Sequence, residues 1–391
     1  MKRILILADD QLIANFYREK FEAIGLAVET ARNGEAALQH AADKPPDLAL
    51  IDPVLPAGSG LDTVGKLHSA LGGTPMMIFA NAPAAIISAM EKAGITKVVA
   101  RGEKHVEEVL REVQAALNLG GIVPLDEDGA WLKTMIEAAP EAINAMRVAM
   151  HGFIKEPQNS DLLFDLFRQI HNVSERTSLV GLNAIYRMTA ALEAFVYDLY
   201  AMPEQVNPSV IRTVSQSIDF LATLFEEKNV RRAQDPTTSD VLVVDDEADA
   251  RKLIETAMDM VGLKITCAAE AEMAMTILED NPFDLIFLDI NLPQTSGFDI
   301  CAHVRGLEDH KKTPIVFLTG MTTLQNRAKS SLSGGNDFIA KPFLVLELAV
   351  KALTWLHSEA LKPLSMAVAS GKIAPRSNRP DLLLARHGGS F

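Results

Sequence analysis

The stretch VLVVDD, Val241–Asp246, decides the fold of this chain. It is a short apolar run that ends in two acids, and three comparable runs follow it. Continuous apolar runs of this length are typical of strands that are buried on both faces of a parallel sheet. We therefore predict a doubly wound α/β domain with a parallel sheet. The later runs are FDLIFLDINLP (Phe283–Pro293), TPIVFLTG (Thr313–Gly320) and NDFIAKPF (Asn336–Phe343).

Each of the four runs ends in polar side chains of a type that can do chemistry. The residues are Asp245 and Asp246, then Asp289, Thr319 and Lys341. In an open α/β sheet, ligands bind outside the carboxyl ends of the strands, so these side chains should meet in one crevice. Crowded carboxylates favour a hard divalent cation, and Mg2+ typically takes few carboxylates, several waters and a phosphate.

This pattern closely resembles the receiver domain of two-component response regulators. The resemblance implies a five-stranded parallel sheet and makes Asp289 the phosphoryl acceptor. It also implies that Asp246, Asp245 mainly through water, and the backbone carbonyl of Asn291 hold Mg2+. The cofactor that we expect is therefore Mg2+.

The resemblance gives roles to three further residues. Thr319 and Lys341 are expected to contact the phosphoryl oxygens, and Phe338, three residues before the lysine, is the expected switch aromatic. Phosphoryl transfer depends mostly on positioning and on neutralising the developing charge, which a metal ion and an ammonium group can supply.

The first part of the chain repeats the same pattern. An internal repeat of alternating strands and helices predicts two doubly wound domains, at residues 1–120 and 238–360. The repeated segments are ILILADD (Ile4–Asp10), PDLALIDPVLPAGSG (Pro46–Gly60), TPMMIFAN (Thr74–Asn81) and KVVARGE (Lys97–Glu103).

The two copies differ where the chemistry lies. Asp9, Asp10 and Asp52 are retained in the first copy, so a second acidic metal cluster is plausible and Asp52 is a candidate second phosphoryl acceptor. We interpret the first copy as a degenerate receiver, either slowly phosphorylated or kept as a binding surface. The changed positions are Ala80 for Thr319, Arg101 for Lys341, Gly102 for the following proline, and Val98 for the switch aromatic.

Between the two copies, residues 125–230 have helical periodicity instead of strand-like runs. A linker, NLGGIVPLDED (Asn118–Asp128), precedes this region, and Pro140 is expected to break its first helix. Helices joined by short loops predict an all-α antiparallel bundle. The predicted helices are Trp131–Ala139, Glu141–Ile154, Asp161–Arg176, Leu182–Met202 and Pro208–Glu227.

The third of these helices contains LFRQIHNVSERTSLVG, with His171 near its middle. A lone histidine on an amphipathic helix is usually a surface residue. The layout of the region, however, resembles the histidine phosphotransfer domain of chemotaxis kinases. The resemblance implies that His171 carries a phosphoryl group, that Gly181 ends its motif, and that Glu193 orients the ring through its other nitrogen.

The bundle departs from that family close to the histidine. Ser174 stands where the family has a lysine, and Glu175 where it has a glycine. Positions three and four residues along share the histidine's helical face, so a cation is lost there and an anion is gained. Arg168 and Arg176 are expected to compensate in part.

Composition limits the classes of partner and compartment. The net charge of −14 argues against a general affinity for nucleic acid or anionic lipid. No apolar segment is long enough to span a bilayer and the start does not resemble a signal peptide, so we expect a cytoplasmic protein. Cys267 and Cys301 are expected to be small apolar fillers. Residues 361–391 are expected to be a disordered tail, in which Leu382–Ala385 is a candidate docking peptide.

The sequence contains no recognisable ATP-binding kinase domain, so we expect no enzymatic activity beyond autodephosphorylation. A sensor histidine kinase would supply phosphoryl groups, and a downstream response regulator or phosphotransfer protein would receive them. The first hypothesis is a phosphorelay intermediate that uses Asp289 and exchanges phosphoryl groups through His171. The alternatives are a phosphorylation-regulated scaffold without transfer and a phosphate sink, and the oligomeric state is left open.

Overall fold

The computed structural model contains two α/β units with a helical region between them. In both α/β units all strand pairs are parallel, which confirms the predicted fold class. The structure describes residues 1–56, 60–79, 83–95, 97–99, 105–119, 129–157, 159–230, 239–320 and 334–361. Residues 362–391 of the expected tail and residues 120–128 of the expected linker lie outside these ranges.

The first α/β unit alternates strands with helices, and its strand order is β2-β1-β3-β4-β5. Apolar side chains from both faces of this sheet are buried, as the continuous hydrophobic runs predict. Its elements are β1 (Arg3–Leu7), α1 (Gln11–Ala23), β2 (Ala27–Ala31), α2 (Gly34–Asp43), β3 (Leu48–Ile51), α3 (Gly60–Leu71), β4 (Met76–Ile78), α4 (Ala84–Lys92), β5 (Lys97–Val98) and α5 (His105–Leu117).

The helical region follows, with a short 3-10 turn at Pro203–Gln205. Helices α6 and α8 each pack against α7, and α9 packs against α6. The helices are α6 (Gly129–Lys155), α7 (Ser160–Leu179), α8 (Asn183–Ala201), α9 (Pro208–Leu224) and α10 (Glu227–Val230).

The predicted helix break at Pro140 is wrong, because α6 runs through it without interruption. Proline inside a helix loses one hydrogen bond and costs about 3 kcal/mol. Met135, Ala139 and Ile143 are nevertheless all buried around Pro140, and Pro140 itself is exposed. Burial of the apolar stripe on both sides of the proline outweighs the local cost.

The second α/β unit has the same sheet order as the first, β7-β6-β8-β9-β10. Residues 321–333, between β9 and β10, lie outside the described residues. The elements are β6 (Asp240–Val244), α11 (Ala248–Met260), β7 (Lys264–Ala268), α12 (Ala271–Asp280), β8 (Leu285–Asp289), α13 (Gly297–Gly306), β9 (Ile315–Thr319), β10 (Asp337–Ala340) and α14 (Val345–Leu361).

The helical region packs against both α/β units. One continuous hydrophobic core contains the bundle interior and one face of the second sheet, where Val243 and Phe287 are buried. Helix α14 packs against α8, α9 and α11, and so joins the bundle to the second unit. Residues Met135 and Leu179 of the bundle belong to a core of the first unit. The three parts are therefore packed together.

Two smaller expectations can be compared with the described residues. Cys301 is buried in the core of the second unit, as a small apolar filler should be, whereas Cys267 is exposed on β7 and is not a core residue. Among the helices within the described ranges, none combines the length and the apolar character needed to cross a bilayer.

Candidate functional site

The carboxyl ends of four strands of the second unit, β6, β8, β9 and β10, meet at one end of the sheet. Asp289 is the last residue of β8 and lies opposite Leu318 of β9 in the parallel register. Thr319 ends β9, and its carbonyl accepts a 2.7 Å hydrogen bond from the backbone N–H of Lys341. Asp245 directly follows β6. Strand geometry alone therefore brings these residues together.

Three carboxylates and one ammonium group form the centre of this edge. Ligand oxygens of Asp245, Asp246 and Asp289 all lie within 4.8 Å of one another. Lys341 Nζ lies 2.6 Å from Asp289 Oδ2 and 2.9 Å from Asp245 Oδ2. Asp245 and Asp289 are buried, whereas Asp246 is exposed. The site is thus a mostly buried acidic pocket with one carboxylate open to solvent.

The charges in this pocket stabilise one another. Burial alone would lower the pKa of Lys341, but its hydrogen bonds to Asp289 and Asp245 outweigh burial and raise that pKa. Burial also raises the pKa of Asp245, and Lys341 opposes this shift. Lys341 therefore remains a positive charge beside two buried carboxylates.

The chemistry of the pocket fits a hard divalent cation. Three acidic side chains offer carboxylate oxygens within one coordination sphere, and the exposed Asp246 gives access from solvent. The backbone N–H of Asn291, in the loop after β8, donates a 2.9 Å hydrogen bond to Asp289 Oδ1 and so orients that carboxylate. Asp289 Oδ2 is held by Lys341 instead.

The predicted switch aromatic, Phe338, lies on β10 beside the bundle. The guanidinium carbon of Arg212, on α9, lies 3.6 Å from the centre of the Phe338 ring. Arg212 also donates a 2.8 Å hydrogen bond to the Phe338 carbonyl and lies 3.5 Å from Asp337 Oδ1. A single arginine of the bundle thus contacts both the ring and the backbone of the aromatic residue.

Sequence reasoning missed Arg212 and a polar cluster beside it. Glu347 of α14 accepts hydrogen bonds from Ser209 Oγ at 2.7 Å and Thr213 Oγ1 at 3.0 Å, both on α9. Lys351 lies 2.8 Å from Asp337 Oδ2. Burial raises the pKa of Glu347 and lowers that of Lys351. The sequence signal that could have indicated this cluster is the presence of charged residues inside the apolar run of Val345–Leu361.

His171 is fully buried on α7 and lies between two carboxylates. Its Nδ1 is 2.8 Å from Glu193 Oε1 on α8, as predicted, and its Nε2 is 3.3 Å from Asp52 Oδ1 of the first unit. Burial opposes a charge on the ring, but Asp52 and then Glu193 raise the pKa of His171 to about 10. The structure therefore pairs His171 with the candidate acceptor of the first unit, whereas the described side-chain contacts of Asp289 are within its own unit.

Asp9 and Asp10, the two acids after β1 of the first unit, contact the same helix, α7. Arg168 is paired with Asp9, and Arg176 is bonded to Asp10 Oδ2 at 2.7 Å. We expected both arginines to compensate for the changes next to the histidine, but their described partners include the acids Asp9 and Asp10 of the first unit. Ala80, Arg101 and Gly102 lie outside the described residues, and Val98 is partly buried against a core of the first unit.

Ser174 and Glu175, which replace residues of the phosphotransfer family, are both fully buried. They lie on α7 between Arg168 and Arg176. Any group that approaches His171 from solvent would have to displace protein atoms first. The loop geometry of the first unit nevertheless matches that of the second, because the N–H of Val54 donates to Asp52 Oδ1 at 2.8 Å.

A parallel five-stranded sheet with paired acids, an acceptor aspartate and a lysine at its carboxyl edge defines a class of phosphoryl-accepting signalling domains. The family model "Response regulator receiver domain" matches residues 4–111 and 241–352, which together exceed half of the chain. The chain therefore belongs to the response regulator receiver family, with one receiver domain at each end.

Two curated relatives with similar sequences are named as transcriptional regulatory proteins. A probable transcriptional regulator, ycf27, of Cyanophora paradoxa is 31% identical over 34% of this chain and 54% of its own length. The uncharacterized transcriptional regulatory protein YrkP of Bacillus subtilis is 32% identical over 30% of this chain and 49% of its own length. The chain spans about half the length of these curated relatives.

Among solved structures, the chemotaxis response regulator CheY4 of Vibrio cholerae is 29% identical, with a TM-score of 0.29. The match covers 30% of this chain and 98% of CheY4. The receiver domain of a sensor histidine kinase from Pseudomonas aeruginosa, solved with magnesium in its active-site cleft, is 28% identical with a TM-score of 0.29. That match covers 30% of this chain and 97% of that domain.

Proposed function

We propose that this chain is a phosphorelay intermediate that accepts a phosphoryl group on Asp289 and exchanges phosphoryl groups through His171. The observation that carries the proposal is the pocket of the second receiver, where three carboxylates are clustered and the ammonium group of Lys341 contacts two of them, Asp245 and Asp289. In this scheme a sensor histidine kinase supplies the phosphoryl group, and a response regulator or phosphotransfer protein receives it.

At Asp289, a carboxylate oxygen would attack the phosphorus atom of a partner's phosphohistidine. The new O–P bond forms as the N–P bond breaks, and the electron pair returns to the partner's imidazole. Mg2+ held by Asp245, Asp246 and the Asn291 carbonyl would neutralise charge on the phosphoryl oxygens. Lys341 would move its ammonium group from Asp289 Oδ2 to a phosphoryl oxygen, and Thr319 would donate its hydroxyl to another.

The environment of His171 supports a role as a carrier. Glu193 accepts the Nδ1 proton, which fixes the ring and directs Nε2 toward the first receiver. In that direction Nε2 faces Asp52, the residue at the acceptor position of the first receiver. Asp52 Oδ1 and His171 Nε2 are in ion-pair contact at 3.3 Å, so a phosphoryl group could pass between them only after the two side chains move apart.

Two observations favour the second candidate, a regulated scaffold. His171 is 0% exposed, so partner proteins cannot reach Nε2 while the first receiver stays in contact. Arg212 also connects the switch aromatic Phe338 directly to the bundle. In this candidate, phosphorylation of Asp289 moves Phe338 and changes the bundle surface, and no phosphoryl group passes through His171.

The test is phosphorylation of the full chain by acetyl phosphate and Mg2+, followed by acid and alkali treatment. Asp289→Ala should abolish the acid-stable, alkali-labile phosphate, whereas the exposed Asp299→Ala should retain it. An acid-labile phosphate that requires both Asp289 and His171 supports the relay. Phosphate on Asp289 that is indifferent to His171→Gln supports the scaffold, and uptake that is unaffected by Asp289→Ala contradicts both.

A further inference from the structure

The acidic pair of the first receiver is already occupied by side chains of the bundle. Asp10 uses both carboxylate oxygens, because Oδ1 accepts from the backbone N–H groups of Leu12 at 2.9 Å and Ile13 at 3.3 Å. Its Oδ2 accepts from Arg176 at 2.7 Å. Asp9 is paired with Arg168 through its Oδ2. These carboxylates therefore have cationic partners without a metal ion.

The second receiver shows the contrasting arrangement. Its Asp246, at the position equivalent to Asp9 by strand register, is exposed, whereas Asp9 is half-buried; Ala8 stands at the position of Asp245. Among the residues that the structure describes, Asp245, Asp246 and Asp289 form a group with metal-ligand spacing, and the corresponding acids of the first receiver are not grouped that closely. The residues of the first receiver, in this docked arrangement, do not fit Mg2+.

The contact combines ion pairs with an aromatic contact. At its centre, Asp9, Asp10 and Asp52 meet two guanidinium groups and the imidazole of His171. At its edge, Trp131 of α6 packs edge-on against Phe16 at 5.4 Å and donates to Glu19 at 3.2 Å. A combination of paired charges and an aromatic anchor is typical of a specific interface.

We propose that the first receiver is a built-in cap on the His171 face, held by Arg176 at Asp10 and by Arg168 at Asp9, the residue equivalent to the metal-site Asp246. Two consequences follow. Mg2+ and Arg168 compete for Asp9, and the docked cap excludes free receiver domains from His171. The second consequence rests on the proposed role of His171 as a carrier, whereas the first does not.

Chemical access to His171 tests the cap without any phosphorylation. Diethyl pyrocarbonate is added to the full chain, and modification of His171 is followed over time by mass spectrometry. Arg168→Ala/Arg176→Ala should increase the rate at least about tenfold, because two buried acids lose their partners. Arg147→Ala, which removes an exposed pair with Asp219, should leave the rate unchanged.

A second pair of variants guards against loss of folding. Asp9→Asn/Asp10→Asn removes the same ion pairs from the other side with little change in shape, and should expose His171 equally. Circular dichroism must show that each variant retains its helices. If His171 stays as protected as in the wild type in both double variants, the arginines do not hold the cap and the proposal is overturned.

Cation binding provides the independent measurement. Mn2+, observed by electron paramagnetic resonance, should bind at one site in the full chain and at two sites in Arg168→Ala/Arg176→Ala. Adding Asp9→Asn to that variant should return the stoichiometry to one. Two sites in the wild type with His171 still protected, or one site in the exposed variant, would overturn the competition. Neither outcome depends on whether Asp289 or His171 is phosphorylated.

Discussion

Replacing Lys341 by methionine should destabilise the second receiver and make its stability depend strongly on Mg2+. Lys341 Nζ lies 2.6 Å from Asp289 and 2.9 Å from Asp245, and the two carboxylates are 4% and 0% exposed. Removing one partner of a buried ion pair typically costs 3–5 kcal/mol, because the other charge stays buried. Since the lysine side chain is itself 17% exposed, we expect a loss of about 3 kcal/mol.

The size of the expected thermal shift follows from the extent of the cooperative unit. The second receiver shares a hydrophobic core with the bundle, so the two should unfold together. A domain pair of this size loses roughly 2–4 °C per kcal/mol, which gives a decrease in Tm of about 6–12 °C without a divalent cation. Millimolar Mg2+ should stabilise Lys341→Met more than the wild type, because it can neutralise the orphaned carboxylates.

Differential scanning calorimetry with and without Mg2+ measures both effects. Lys311→Met is the matched control, because Lys311 pairs with Glu308 on the surface and should contribute less than about 1 kcal/mol. An unchanged Tm for Lys341→Met, or equal Mg2+ stabilisation of variant and wild type, would refute the argument that Lys341 compensates the buried acids.

Three further predictions concern the bundle and its contact with the second receiver. Arg212→Ala should weaken that contact by about 2 kcal/mol, because a charge-assisted hydrogen bond and a ring contact are lost. The variant should therefore show faster hydrogen exchange in α9, and unchanged exchange would contradict this prediction. Burial raises the pKa of Glu347, so the free energy of unfolding should increase as the pH falls from neutral toward 4.5. Urea unfolding of Glu347→Gln should lack this pH dependence, and a pH dependence that persists in the variant would contradict the prediction. Pro140→Ala should stabilise α6 by about 1–3 kcal/mol, and a lower urea midpoint would count against this account.

The fold and the candidate site of the second receiver could be predicted from the sequence, because local sequence patterns determine both. Apolar runs specify buried strands, and parallel pairing brings Asp289, Thr319 and Lys341 to one edge regardless of the rest of the chain. The pairing of His171 with Glu193 was also predictable, because it joins neighbouring helices of one bundle. The chemical roles of these residues remain predictions.

The contacts between domains could not be predicted from local patterns. Arg168 and Arg176 looked like compensating charges beside the histidine, and their pairing with Asp9 and Asp10 depends on how the first receiver docks. In the sequence, Arg212 looks like an ordinary polar residue on an amphipathic helix, and only the folded structure shows its contact with Phe338. Pro140 was misjudged because local propensity was given more weight than burial on both sides of it.

The measurement that tests the central claim most directly is identification of the phosphorylated residue in the full chain. After incubation with acetyl phosphate and Mg2+, borohydride reduction converts an aspartyl phosphate to homoserine, which mass spectrometry locates. The account predicts reduction at Asp289, and none in a sample without phosphodonor. Reduction at Asp52 and none at Asp289 would contradict the account, because the phosphoryl acceptor would then be the aspartate of the first receiver, which the bundle covers.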